Sequence, residues 1–210
     1  MRYFRPFLVL VFVALFACTG PKLAVNQASS TLDGEPDADE IAVMAVILDA
    51  AYAHAAHGWV LVGARTATFE CNPPANIGID IGGCSGMRVA SEKPEERLAM
   101  VGAEIPEVST ELTADLLRKS QRSTVLSRAL PVPIQQVVWA PGIATDFKFS
   151  GNPRFAAYFS RVGFDSARAK ALIYFGTLNW TDRSKSLGQY LYLEKQKGAW
   201  VIKAHVKVWD

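Results

Sequence analysis

FAAYFSRVGF (Phe155–Phe164), AKALIYFGTL (Ala169–Leu178) and GQYLYLEKQKGAWVIKAHVKVW (Gly188–Trp209) fill the last quarter of the chain. Each run is rich in aromatic and β-branched residues, and turn formers separate one from the next, which is how strands read. The first strand is expected over Arg154–Phe164, ending at the turn Asp165-Ser166, and the second over Ala169–Thr177. So short a link lets the two pair as a hairpin. A loop over Leu178–Leu187 leads to a third strand, Gly188–Lys195, and the turn Gln196-Lys197-Gly198 leads to a fourth, Ala199–Trp209. In the fourth, Trp200, Ile202, Ala204, Val206 and Val208 alternate with Val201, Lys203, His205, Lys207 and Trp209. Period two predicts one apolar face over a core and one mostly polar face. Helical patterns precede this meander, so the expected class is α+β, with N-terminal helices packed on one face of a mainly antiparallel sheet.

Working back from the sheet, LPVPIQQVVWAPG (Leu130–Gly142) holds three prolines and resists helix assignment. It is expected as an extended segment, with Val137, Val138 and Trp139 as an edge strand at most. A helix is expected over Ser109–Arg122, capped by Ser109 or Thr110, with Leu112, Leu116 and Lys119 on one face. A shorter one, with Pro94 in its first turn, fits between Ser91 and Gly102. Trp59–Phe69 reads as a strand. Before it a helix begins near Asp39, with Ile41, Met44, Leu48, Tyr52 and Ala55 on one face and Gly58 as a stop. Asp37, Asp39 and Glu40 stand at its start, where the helix dipole favours acids. Residues 39–210 are thus expected as a single domain.

The amino-terminal end carries an export pattern. Arg2 and Arg5 precede the apolar run Phe7–Ala17. At roughly 11 residues, that run is about half of what spans a bilayer, so 1–17 reads as a signal peptide. Leu15-Phe16-Ala17-Cys18 resembles a bacterial lipobox, although Phe16 departs from the small or β-branched residue usual there. Lipidation of Cys18 is expected, with ordinary signal-peptidase cleavage nearby as the alternative. Thr19 after the cysteine resembles the outer-membrane sorting pattern. Residues 18–38 would then be the lipidated cysteine and a polar, turn-rich tether. The implied place is the periplasmic face of the outer membrane, held by lipid, or else a soluble periplasmic or secreted form.

With Cys18 lipidated, Cys71 and Cys84 remain as a pair in a compartment where disulfides persist. Such a loop contributes roughly 3 kcal/mol through the unfolded state. A metal site is the alternative, but neither a His nor another Cys lies nearby at ligand spacing. His54 and His57 sit three apart without the further ligand a metal needs, and no cofactor is expected. The glycines between Gly78 and Gly86 match neither GxGxxG nor the Walker spacing, and GCSG is not GxSxG. A formal net charge of +2 argues against nucleic acid as a partner.

SRVGF (Ser160–Phe164), KALIYFG (Lys170–Gly176), GQYLYLEKQKGAW (Gly188–Trp200) and KVW (Lys207–Trp209) together resemble a signature of uncharacterised bacterial exported proteins. The chain departs from that pattern in lacking a Ser after the terminal Trp and in carrying the Cys71–Cys84 loop. The resemblance implies an exported single domain and brings no site with it. Helices followed by a sheet with a GxW hairpin also resemble the cone-shaped nuclear-transport-factor-like fold, which serves both enzymes and binding modules.

Three residues invite a functional reading. Arg161 is the one charge inside the otherwise apolar and aromatic run Phe155–Phe164 and needs a carboxylate if buried, with Asp165 or Glu194 as candidates; the other reading is an anion-binding group in a cleft. His205 lies on the polar face of the last strand, as a general base or simply solvated. Trp180, in a loop, is the candidate for partner contact. Two functions fit. One is a tethered, non-catalytic binding or assembly module with an envelope protein as partner. The other is a small envelope hydrolase or ligand-binding enzyme that uses a concave sheet face.

Overall fold

A computed structural model describes residues 35–52, 60–69, 93–139, 155–179, 182, 184 and 186–209. All belong to one compact unit, Thr31–Asp210. Its elements in chain order are α1 (Ala38–Tyr52), β1 (Val60–Gly63), α2 (Pro94–Glu104), α3 (Thr110–Lys119), β2 (Gln136–Trp139), β3 (Phe155–Phe159), β4 (Gly163–Phe164), β5 (Lys170–Asn179), β6 (Leu187–Gln196) and β7 (Ala199–Trp209). The strands form one seven-stranded sheet in the order β2-β1-β3-β5-β6-β7, with β4 also paired to β5. β1 runs parallel to both β2 and β3, and the remaining pairs are antiparallel. The α+β class and the carboxyl-terminal meander are therefore present, and the Val137–Trp139 segment is the edge strand the prolines suggested. Among the described residues no helix is long and apolar enough to cross a membrane.

The helices, expected on one face, divide between two. Alternation along β5 sends Ala171, Ile173 and Phe175 toward α1, where they pack with Met44, Ile47 and Leu48. Leu172 and Tyr174 point the other way, into a core with Leu98, Val101, Leu112 and Leu116 of α2 and α3. Period two in a strand buried on both sides gives a continuous apolar run, as KALIYFG is.

β7 departs from simple alternation. Trp200 and Ile202 face the α1 core, whereas Ala204, Val206 and Val208 pack with the α2–α3 core. A register shift explains the change: Leu193 pairs with Ile202, but Tyr192 pairs with Ala204, leaving Lys203 as an extra residue. Such a bulge moves every later side chain to the opposite face. The turn into β7 is the expected tight one, with Gln196 paired to Ala199 and positive φ at both Lys197 and Gly198.

Local signals set the helix ends. Ser109 caps α3, its Oγ accepting from the Leu112 N–H at 3.3 Å. Pro94 opens α2 at a position where a missing N–H costs nothing. At α1, Asp37 and Glu40 form a reciprocal capping box: the Glu40 N–H donates to Asp37 Oδ1, and the Asp37 N–H to Glu40 Oε2, both at 3.0 Å.

Candidate functional site

The expected first strand of the meander breaks at Ser160–Val162, and the break organises the charged centre of the fold. The Ser160 N–H donates to the Tyr174 carbonyl at 3.0 Å. In return the Tyr174 N–H donates to the Ser160 hydroxyl at 2.9 Å, where a regular ladder would use the Ser160 carbonyl. The side chain replaces a main-chain acceptor, and the backbone turns out of the ladder for two residues. That exit carries Arg161 toward the head of α1.

Arg161 meets Glu40 there as a two-pronged pair, Nε to Oε1 and Nη2 to Oε2, each 2.8 Å. Glu40 is fully buried. Its Oε1 also accepts from the Val162 N–H at 3.0 Å, and its Oε2 from the Asp37 N–H. Four donors therefore satisfy one carboxylate. Burial by itself would lower the Arg161 pKa, but the Glu40 bonds and charge outweigh it and hold the guanidinium above its ordinary value.

A second ring of ions encloses the first. Arg168 donates from Nε to Asp39 Oδ2 at 2.9 Å and from Nη2 to both Asp37 oxygens at 2.8 Å. Its guanidinium lies 4.2 Å from the centre of the Phe164 ring. Arg168 has a φ of 51°, a conformation uncommon outside glycine, and these two carboxylates hold it there. Lys195 Nζ donates to Asp39 Oδ1 at 2.9 Å. The Lys195 bond, with Arg168 adding to it, keeps the Asp39 carboxyl below the ordinary range despite burial that raises it.

On the opposite side α3 grips the same segment. The Phe164 N–H donates to Asp115 Oδ2 at 2.9 Å, Lys119 Nζ to the Val162 carbonyl at 3.0 Å, and the Ser166 N–H to Glu111 Oε1 at 2.8 Å. Burial raises the Asp115 pKa, but the Phe164 N–H, Lys119 and Arg118 more than offset it and leave the carboxyl below its ordinary value. Gly163 makes the approach feasible. A Cβ there would stand 2.3 Å from the Leu112 carbonyl oxygen and 2.7 Å from both Leu116 N and Cβ. SRVGF is thus a clip: Arg161 takes α1, Gly163 admits α3, and Phe164 packs on Trp200 at 5.6 Å between ring centres.

Two depressions adjoin the clip and the helices. One, of about 410 Å³, is lined by Asp37, Glu111, Asp115, Phe164, Asp165 and Arg168 among others. The acids in it are already bonded: Asp165 Oδ1, for example, accepts from the N–H groups of Ala169 and Lys170 at 2.7 and 2.9 Å. The other, of about 510 Å³, is a groove between α2 and α3 with Leu98, Ala99, Gly102, Val108, Ala114 and Leu117 in its walls.

The residues singled out in the sequence do not converge. Arg161 pairs with Glu40, not with Asp165 or Glu194. Asp165 is occupied in its own turn, and Glu194 Oε1 accepts from the Tyr192 hydroxyl at 2.7 Å. His205 is exposed on β7, opposite Leu191. Cys18, Cys71, Cys84, Trp180, His54 and His57 lie outside the described residues. Among the described residues no group of three or more His, Cys, Asp or Glu could hold a metal ion. Reading Glu40 only as a dipole partner missed its role, although the Asp37-x-x-Glu40 spacing is a capping-box signature. In comparisons with known proteins the chain matches no family model, no curated protein and no solved structure.

Proposed function

We propose that this protein is an exported binding or assembly module of the cell envelope, non-catalytic and tethered to a membrane by lipidated Cys18. The observation that carries the reading is the helix pair α2–α3. It presents an apolar groove and stands on a platform that the SRVGF clip fixes from both sides. A rigid platform with a groove is what a docking module needs. The leader and LFAC at Leu15–Cys18 supply the route and the anchor, and residues 19–38 a polar tether. A multiply acylated terminus would hold the protein on a surface without spanning it.

The hydrolase reading asks for a deep cleft on the concave sheet face in which His205 or a carboxylate meets Arg161. A carboxylate does meet it, that of Glu40, but in a fully buried pair at the head of α1 whose oxygens are taken up by Arg161 and two backbone N–H groups. His205 is exposed on β7, and helices pack on both sheet faces. The test of the module reading is metabolic palmitate labelling with envelope fractionation and cross-linking pull-down, comparing wild type with Cys18→Ser. Label and membrane retention in wild type only, together with one reproducible envelope partner, support it. Two soluble, unlabelled and partnerless forms would remove it.

A further inference from the structure

Past Gly63 the chain leaves β1 and runs antiparallel to the segment that follows α3. The Leu126 N–H donates to the Ala64 carbonyl at 2.7 Å and the Thr66 N–H to the Thr124 carbonyl at 2.9 Å, with Arg65 and Val125 as bridge partners. Side chains lock this ribbon: the Thr124 N–H donates to Thr66 Oγ1 at 2.9 Å and the Ser123 hydroxyl to the Thr66 carbonyl at 2.8 Å. Thr66, Thr124 and Leu126 are buried, so alternation turns Arg65 and Val125 outward together. Arg65 lies along the outer side, donating from Nε to the Ser123 hydroxyl and from Nη2 to the Ser123 carbonyl, both at 3.3 Å. Exposed Arg122 and Arg128 stand at bends on either side of Val125, each within about 10 Å of it along the chain.

The ribbon's own residues give the patch its sign. Neither Val60–Phe69 nor Leu116–Trp139 contains a carboxylate. Arg118, Arg161 and Arg168 are paired with acids, whereas among the described residues Arg65, Arg122 and Arg128 have no carboxylate partner. Val125, 44% exposed, stands among these three guanidiniums, and among the described residues only Met100 is another large apolar side chain so exposed. Guanidiniums around an apolar tip match a surface of anionic headgroups over hydrocarbon: phosphates take the arginines, and the tip reaches the acyl boundary. The patch also lies at the end of the sheet where residues 19–38 join the fold. β1 and β3 are parallel, the Ala67 N–H donates to the Phe159 carbonyl at 2.7 Å beyond β1, and Arg161, two residues after Phe159, holds Glu40 at the head of α1.

We infer that the Arg65–Val125 ribbon, with Arg122 and Arg128, is a contact site for an anionic lipid surface. Of the tethered-module reading this uses only export to a membrane, and not the acylation of Cys18. The mature chain carrying Cys18→Ser is therefore titrated with vesicles of phosphatidylcholine alone and of a two-to-one mixture with phosphatidylglycerol. Binding to the mixed vesicles is expected, weaker as salt rises, and at least tenfold weaker to the neutral ones. A guanidinium at such a surface contributes about fivefold. Arg65, Arg122 and Arg128 replaced together by Gln should thus lose at least tenfold. Replacing exposed Lys93, Lys197 and Lys203 by Gln removes the same charge elsewhere and should lose less than threefold. Should Arg65→Gln lower the melting temperature, the Arg122→Gln, Arg128→Gln pair decides, with a loss of at least fivefold. Val125→Ser should weaken binding at least twofold at low and high salt alike. No binding to mixed vesicles, equal binding to neutral ones, or equal losses in the arginine and lysine variants overturns the assignment. So does wild-type affinity in Val125→Ser, or displacement by glycerol phosphate beyond that by chloride at equal ionic strength, which would make the patch a small-anion site. Vesicle binding by a chain that palmitate never labels keeps this inference and removes the anchor.

Discussion

Changing Arg161 to Met leaves the Glu40 carboxylate fully buried with two of its four donors gone. Breaking one side of a buried ion pair costs about 3–5 kcal/mol, mainly because the remaining charge has lost its partner. For a folded unit of this size each kcal/mol moves the melting temperature by about 2–4 °C, so a fall of about 6–20 °C is expected. Glu40→Gln removes the carboxylate that Arg161 grips with two bonds and should cost a similar amount, although the amide oxygen can still accept from the Val162 N–H. The double variant has no buried charge at this point and keeps that acceptor. It should therefore be more stable than the sum of the single losses implies, by at least 2 kcal/mol. Urea unfolding of the four proteins, with unchanged m values, gives the cycle directly. Losses that simply add, within about 0.5 kcal/mol, would refute the buried pair as the element joining α1 to the sheet.

Gly163→Ala drives a methyl group into the backbone of α3, at the Leu112 carbonyl and Leu116 N, and neither atom belongs to a flexible side-chain end. A loss of about 1–3 kcal/mol or more is expected in urea unfolding; a neutral substitution would mean that α3 does not sit on β4. Acid should weaken the clip with a definite sign. The carboxyls of Asp39 and Asp115 are depressed in the folded state, so their contribution is full above the unfolded value near 3.8 and is lost as pH falls through the folded values. Urea midpoints between pH 6 and pH 2 should fall below about pH 4, less steeply in an Asp39→Asn, Asp115→Asn double variant; identical slopes would discard the linkage. Reduction should lower the melting temperature by the equivalent of roughly 3 kcal/mol if Cys71 and Cys84 are bridged, and an unmoved melting curve would rule the bridge out.

Strand positions were legible because they depend on local composition. The four carboxyl-terminal runs fall on β3 with β4, β5, β6 and β7, although β5 runs on to Asn179 and β6 spans Leu187–Gln196, beyond the expected ends, and the Lys197-Gly198 turn lies where the glycine put it. What could not be read has a common physical origin. Lys203 bulges out of β7 because of how β6 and β7 register, and nothing in WVIKAHVKV distinguishes that from strict alternation. The break at Ser160–Val162 depends on a hydroxyl replacing a carbonyl across the sheet. The partner of Arg161 lies 121 residues earlier, so a search among nearby acids was bound to choose wrongly. The groove requires two helices that are individually ordinary, and only their mutual packing aligns the two small-residue stripes.

A near-neutral total also conceals how charge is distributed along the chain. Between Asp33 and Asp115 there are 15 carboxylates and 4 Lys or Arg; between Arg118 and Trp209 there are 15 Lys or Arg and 4 carboxylates. A chain so divided attracts its own other half, and low salt should strengthen that attraction. The folded unit brings the two halves together where the acidic head of α1 and the acids of α3 meet the Arg161–Arg168 segment and Lys195. Acids within reach of that seam are bonded there. Glu95, Glu96, Glu104 and Glu107 belong to the same acidic half, but α2 and the link after it carry them away from the seam, and they are exposed with no ion-pair partner among the described residues. The clip and these exposed acids thus have one source, a charge division that folding neutralises in one place and leaves exposed in another.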